Sequence, residues 1–382
     1  MNPGGAGKLC LVANTDWYLY NFRLALAKHL RSLGWEVILI SPPGPYTGRL
    51  AEAGFEWLEW QVDRRGLGLV RELQSAWRLR QIYKERRPRL VHHFTVKPVM
   101  YGSLAARLVG VPAVVNAITG LGYIFLRSGW QGAALRFVVK PLYRLVIKRP
   151  NVHVIFENED DQEFFLQNRL ARKDQTTVIR GVGVDVDRYQ PQPEVEGAPL
   201  VVMPARLLWD KGVGVLVDAV KHLRQDSNTS SIRVALVGVP DPGNPASIDE
   251  SQLEQWSTSG LVEHWGFRQD MGEIYRQAHI VCLPSLREGL PTVLIEAAAA
   301  GRPIVASDVP GCREVVADGV NGLLVPPDDP PALAGALAKL AGDPVLRQQM
   351  GAAGRDIAVT RFANDVIIAA TLDVYSNLLK TI

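Results

Sequence analysis

The sequence holds little of what marks several large protein classes. Cysteine is scarce, with 3 in 382 residues, and Cys10, Cys282 and Cys312 stand far apart. An odd, scattered set is neither a disulfide framework nor a zinc spacing, and predicts a reducing compartment. Long apolar runs are missing. The start M-N-P-G-G-A-G-K-L-C-L-V-A-N-T-D-W has too short an apolar stretch for a secretory signal, so a cytoplasmic chain is expected. The uncharged stretch 108–126 contains Pro112, Asn116, Thr119, Gly120 and Gly122. It suits a buried strand and loop better than a membrane span. The 34 glycines follow no period, which excludes a collagen-like chain, and 47% hydrophobic residues exclude a disordered one.

Acidic residues are absent from one long region. None occurs between Glu85 and Glu157, where eleven Lys and Arg lie. Residues 1–190 carry 27 Lys and Arg against 16 Asp and Glu, and residues 191–382 carry 15 against 23. The net charge of +3 hides this division. The first half is suited to an anionic partner.

What is present is alternation. Strand-like apolar runs at 9–13, 36–41, 90–93, 113–116 and 152–156 are separated by helical patterns at about 20–33, 69–86, 98–108, 130–148 and 158–168. The second half repeats this, with strands at 200–204, 233–237, 280–283, 304–306 and 322–325. Its helices are expected at about 212–224, 247–258, 291–300, 330–341 and 343–352. Such alternation predicts an α/β chain of two doubly wound parallel-sheet domains. Ligands of this architecture bind at the carboxyl ends of the strands, here in a cleft between the domains. The proline-rich 190–199, Q-P-Q-P-E-V-E-G-A-P, reads as the joint. The expected division is an N-terminal domain 1–190, a linker 191–198, a second domain 199–362, and a C-terminal helix 363–382 crossing back.

The second half carries the sharpest motifs. Residues 283–296 read L-P-S-L-R-E-G-L-P-T-V-L-I-E, a strand end, a Gly/Pro loop and a helix opening near Pro291. Proline suits a first helical turn because its missing N–H has no partner there. The amides of Thr292 and Val293 and the helix dipole make a backbone anion site suited to a diphosphate. Glu288 and Glu296 flank that turn and can reach hydroxyls on different parts of one elongated ligand. Taken alone, each glutamate equally fits an ordinary surface or helix-start residue. Residues 204–212, P-A-R-L-L-W-D-K-G, place Arg206 and Lys211 after another strand. Two cations there can neutralise a diphosphate leaving group without a metal.

Together these segments resemble the family-4 type of retaining, nucleotide-sugar-dependent glycosyltransferases, which have the two-domain GT-B fold. The matching motifs are R-L-x2-D-K-G at 206–212, E-G-L-P-x4-E at 288–296, A-x4-G-x-P-I-V-A-S at 297–307, G-C-R-E-V-V at 311–316 and N-G-L-L-V at 321–325. The resemblance implies that Arg206 and Lys211 bind the donor diphosphate. It gives Glu288 the hydroxyls of the transferred sugar and Glu296 the ribose. Gly289, Leu290, Pro291, Thr292 and Val293 would line sugar and phosphates, with the amides after Gly289, that of Pro291 apart, touching them. Phe267 and Arg268, in the turn 264–270, would meet the base, and Gly238 would flank the nucleotide, although the second close glycine of many relatives is missing. No D-x-D metal signature precedes a nucleotide site, and Glu159–Asp161 and Asp328–Asp329 read as helix-start and loop acids. No metal and no cofactor are therefore expected. The resemblance implies front-face transfer in which the departing phosphate oxygen takes the proton.

In the first half, G-G-A-G-K at 4–8 precedes its strand and lacks phosphate-loop spacing, so it reads as a leader. N-T-D-W-Y-L-Y-N-F-R at 14–23 stands where relatives have a Gly-rich loop. Asn14, Asp16 and Trp17 are candidates for an acceptor site, and packing by Trp17, Tyr18 and Phe22 is the competing reading. Two further loops, H-H-F-T-V-K-P at 92–98 and N-A-I-T-G-L-G-Y at 116–123, end strands on the same edge. Thr119 occupies the place of a cleft histidine in many family members. His93, or else His92, is the candidate replacement, with Lys97 as a phosphate ligand. These loops, with 14–23 and S-P-P-G-P-Y at 41–46, resemble bacterial enzymes that extend undecaprenyl-diphosphate-linked sugars for O-antigen, capsule or glycoprotein glycans. Such enzymes often transfer N-acetylgalactosamine or galactose.

The charge pattern adds its own argument for a lipid-linked acceptor. Residues 64–89 hold nine Lys and Arg against two Glu. Arg136, Lys140, Arg144 and Lys148 recur every fourth residue beside Phe137, Val138, Leu142, Leu145 and Val146. This pattern predicts a helix resting on the anionic inner face of the plasma membrane, or a core helix with a basic edge. No nucleic-acid module is present. The expected activity is transfer from a UDP-sugar (UDP-GalNAc, UDP-GlcNAc or UDP-Gal) to a polyprenyl-diphosphate-linked saccharide. The competitors are a UDP-sugar 2-epimerase of the same fold and a catalytically silent sugar-nucleotide-binding protein.

Overall fold

The computed structural model describes residues 7–62, 69–119 and 140–381. The chain divides into two compact units, Met1–Gly183 with Asn364–Ile382, and Val184–Ala363. Each is an open sheet of parallel strands. The first sheet contains β1 (Lys8–Val12), β2 (Glu36–Ser41), β3 (Glu56–Glu59), β4 (Leu90–Phe94), β5 (Ala113–Ile118), β6 (Val152–Phe156) and β7 (Thr176–Val178). Their order is β3-β2-β1-β4-β5-β6-β7. The second contains β8 (Leu200–Pro204), β9 (Arg233–Val237), β10 (Glu263–Gly266), β11 (Ile280–Leu283), β12 (Ile304–Ser307) and β13 (Gly322–Val325), in the order β10-β9-β8-β11-β12-β13.

The central strands form where the apolar runs are. Helices cover both faces of a parallel sheet, so its strands are apolar throughout and not alternating. Every residue of β4, β5, β8, β11 and β12 is buried. The edge strands β3, β7 and β10 escape the sequence reading because they are short and half-exposed. His264 and Gly266, expected in a turn, therefore lie in β10.

In each sheet the strand order reverses once, between β1 and β4 and between β8 and β11. Chains diverging from those points leave a crevice at the carboxyl edge, where ligands of open α/β sheets bind. The loops after β8 and β11 are those of Lys211 and Glu288, so the second unit gathers its motifs at its switch point.

The segment 191–198, expected as a linker, is part of the second unit. Its Glu194 forms a two-pronged pair with Arg347 at 2.8 and 2.7 Å. Arg302 donates to Gln192 O at 3.0 Å, and the His279 ring meets Val195 O at 2.9 Å. Proline and low hydropathy marked the absence of regular structure there, not the absence of partners. The boundary falls at Gly183, ahead of the expected 190, because Arg355 anchors Val186 O and Tyr189 O at 2.8 and 3.0 Å.

Candidate active site

At the second switch point three backbone approaches fix the loops. Gly212 has φ +77, and a Cβ there would lie 2.0 Å from Pro284 O. Gly238 has φ +150, and a Cβ would meet Ala205 O at 1.8 Å. A side chain on Gly311 would strike Gly289 O and Glu288 O at 2.5 and 2.6 Å. Glycine is required where backbones approach this closely.

On this frame Lys211 Nζ donates to Glu288 Oε1 at 2.6 Å, and Ser285 Oγ donates to the same oxygen at 2.6 Å. The Lys211 and Glu288 side chains are 23% and 9% exposed. Arg206 is more open and pairs with Asp241 at 2.8 Å. The loop bearing Asp241 is laced to the Arg206 loop by Leu207 N to Val239 O, 3.0 Å, and Trp209 N to Ala246 O, 2.7 Å. The helix Thr292–Ala299 begins one residue later than expected, with Pro291 at its cap and no side-chain cap bond. Gly289, Leu290, Pro291, Thr292 and Val293 thus lead an uncapped N-terminus past Glu288.

Glu296 lies one turn into that helix. Its Oε2 accepts from Tyr275 OH at 2.8 Å, and Tyr189 adds a second hydroxyl. Burial raises the Glu296 carboxyl above its ordinary range, opposed by those two hydrogen bonds. Phe267 is 58% exposed after β10, and Arg268 grips Asp270 beside it. Asp241, Ser285, Tyr275 and Tyr189 are the partners that sequence reading missed. Only Ser285 had a signal, its place in the glutamate loop.

The first unit corrects several expectations. His93 is fully buried, with its ring nitrogens 2.9 Å from Tyr83 OH and 2.8 Å from Asn116 Oδ1. Burial pulls its pKa down to about 4. It is held neutral within the core of the first unit. His92 faces the other side, 2.6 Å from Tyr375 OH, and is equally enclosed. Lys97 is ion-paired with Glu72 at 2.5 Å, so its charge is already answered within the unit. Asp16 is buried and accepts from Trp17 N at 2.8 Å and Tyr46 N at 2.7 Å. Its carboxylate ties the loop after β2 to the loop after β1. Asn14 and Thr119 are half-buried after β1 and β5. Trp17 is 42% exposed, its ring edge-on to Phe22 at 5.0 Å.

The membrane expectation also shifts. Arg136, Phe137 and Val138 lie outside the described residues. Lys140 and Arg144 are drawn onto Asn168, donating to its Oδ1 at 2.7 Å and its O at 3.0 Å. Val146 is buried, Leu142 is half-buried against the core, and Lys148 and Leu145 are exposed. Among the described residues 140–147, Leu145 is the exposed apolar neighbour of these cations.

A buried polar group beside the first switch point had no sequence signal. Arg23 is 6% exposed, donates to Tyr18 OH at 2.8 Å and lies 4.2 Å over the Phe94 ring. Its Nε has no hydrogen-bond partner among the described residues. Glu157, just after β6, is buried, and its carboxyl is pushed up to about 7 by burial, against the pull of Arg23.

Two Rossmann-like sheets with their motifs at the switch points define the GT-B architecture of glycosyltransferases. Two family models agree: "Glycosyl transferases group 1" matches residues 198–343 and "Glycosyl transferase 4-like" matches 8–158. The chain belongs to these families and is a glycosyltransferase. It is 28% identical over 377 residues to the N,N'-diacetylbacillosaminyl-diphospho-undecaprenol alpha-1,3-N-acetylgalactosaminyltransferase of Campylobacter jejuni, covering 95% of this chain and 97% of that protein. It is 24% identical to the UDP-Gal:alpha-D-GlcNAc-diphosphoundecaprenol alpha-1,3-galactosyltransferase of Escherichia coli, over 74% of each. Among solved structures, Anabaena Alr3699/HepE in complex with UDP and glucose superposes with a TM-score of 0.79 at 20% identity, over 97% of this chain and 100% of that one.

Proposed function

We propose that the protein is a retaining hexosyl- or N-acetylhexosaminyltransferase. It moves a sugar from a UDP-sugar (UDP-GalNAc, UDP-GlcNAc or UDP-Gal) to a hydroxyl of a polyprenyl-diphosphate-linked saccharide in surface glycan assembly. The observation that carries this reading is the meeting of Lys211 and Glu288 at the switch point of the second sheet, with Arg206 on the same loop as Lys211. The relatives named above, whose names specify diphospho-undecaprenol sugars, support the acceptor class.

In this reading the second unit holds the donor and the first unit the acceptor. Lys211 and Arg206 offset the charge that grows on the leaving diphosphate, so no metal is required. The uncapped turn at Thr292 and Val293 supplies amides to the same anion. Glu288 orients the transferred sugar through its hydroxyls, and Glu296 takes the ribose. The acceptor oxygen bonds to the anomeric carbon as the carbon–phosphate oxygen bond breaks. The acceptor proton passes to the departing phosphate oxygen on the same face. A polyprenyl-linked acceptor places the reaction at the cytoplasmic face of a bilayer.

The test is turnover of the purified chain with each UDP-sugar and a membrane extract containing polyprenyl-diphosphate saccharides. Product linkage is then read by NMR. Transfer with retained anomeric configuration is expected. Conversion of the donor without acceptor would instead identify a 2-epimerase. UDP binding with no transfer across the panel would identify a silent sugar-nucleotide-binding protein.

A further inference from the structure

The helix Leu69–Arg86 packs inward through Ser75, Leu79, Ile82 and Tyr83, all buried. At 100° per residue its opposite face carries Leu73, Trp77, Arg80 and Lys84. Leu73 is 68% exposed and Trp77 55%, one helical turn apart. The Arg80 guanidinium lies 4.5 Å from the Trp77 ring centre. A leucine and a tryptophan are thus presented outward with nothing described above them.

The charge around this pair has one dominant sign. Seven Lys and Arg against two Glu occur in 69–89, and one of those acids, Glu72, is turned inward to Lys97 and is 12% exposed. An apolar pair rimmed by cations complements an anionic lipid surface. Tryptophan and leucine enter the headgroup boundary while Arg and Lys stay with the phosphates. Among the described residues no helix is long and apolar enough to cross a membrane.

We infer that the Leu73–Trp77 face of this helix, with Arg80 and Lys84, docks the chain on an anionic bilayer. The inference rests on the lipid-linked acceptor reading.

The experiment is co-sedimentation of the full chain with phosphatidylcholine vesicles, with and without roughly one third phosphatidylglycerol. The wild type is expected to bind only the anionic vesicles, less at high salt. Leu73→Glu with Trp77→Glu should reduce binding about tenfold or more. Both residues are exposed, so melting should be unchanged, as should transfer to a water-soluble short-chain acceptor. Lys140→Glu with Arg144→Glu should keep vesicle binding. Unchanged binding by the Leu73/Trp77 variant, or loss confined to the Lys140/Arg144 variant, overturns the inference. So does a dimer that the Leu73/Trp77 variant dissolves while the wild type ignores vesicles. Vesicle binding that needs Leu73 and Trp77 in a chain that transfers no sugar would uphold the docking face and reject the acceptor reading.

Discussion

Lys211 Nζ stands 2.6 Å from Glu288 Oε1, joining two loops 77 positions apart at one end of the second sheet. Each residue is the other's counter-charge, so the two respond differently to substitution. Glu288→Gln keeps acceptor capacity toward Ser285 and Lys211. It should lower turnover by about 10²–10³-fold with an unchanged melting temperature. Lys211→Ala should lose turnover as far and also cost about 3 kcal/mol, because Glu288 is left nearly buried without its cation. Steady-state rates and thermal melts separate the two. Wild-type-like turnover in both would sink the assignment.

Glu296 is held by Tyr275 OH at 2.8 Å, and Tyr189 aids it. Tyr275→Phe removes one restraint without touching the proposed diphosphate contacts. The donor KM should rise about tenfold with kcat little changed. A fall in kcat at constant KM would show that Tyr275 serves the chemical step.

His93 should matter for stability alone. His93→Ala removes the partner of Tyr83 OH, leaves Asn116 Oδ1 to Ser103 Oγ alone and opens a cavity. A loss of about 3 kcal/mol is expected, with the rate per folded molecule unaltered. Because the folded pKa is depressed to about 4, its stability contribution is full above the ordinary 6.5 and drains away as pH falls toward 4. A denaturant series across that window checks the sign.

Glu157 works in the opposite sense. Its folded pKa is raised to about 7 from an ordinary 4.5, so the folded state resists ionisation. Stability should decline as pH rises from about 4.5 to 7, by up to about 3 kcal/mol, and Glu157→Gln should flatten that slope. A wild-type slope in the variant would place the titration elsewhere.

If Arg206 and Lys211 carry the leaving-group charge, a chelator should leave the transfer rate unchanged. Strong inhibition by EDTA, reversed by a divalent ion, would overturn that proposal.

The buried strands were legible because burial on both faces leaves a run of apolar residues that nothing else produces. The glutamate loop stood out because a strand end, a Gly/Pro turn and a helix start follow one another there. The roles of His92 and His93 were not. Adjacent strand residues point to opposite faces, and the sequence does not show what covers either one. Here the helix Asn364–Lys380 covers one face with Tyr375 and the helix Leu69–Arg86 the other with Tyr83. The pairing of Lys97 with Glu72 left no mark either, since the two lie 25 positions apart. Basic spacing at 140–148 gave no hint of Asn168, whose carbonyl groups claim two of the cations.

The helix Asn364–Lys380 gives Ile367, Ile368, Val374, Tyr375 and Leu378 to the same core as Leu9, Leu11 and Leu39. That core is therefore assembled from segments on both sides of the second unit in the sequence. During synthesis the second unit emerges whole while the first still lacks one side of its interior. The unit begun first is the last to be finished. A nascent chain arrested before residue 364 should present that open flank to chaperones, however well its strands have already paired.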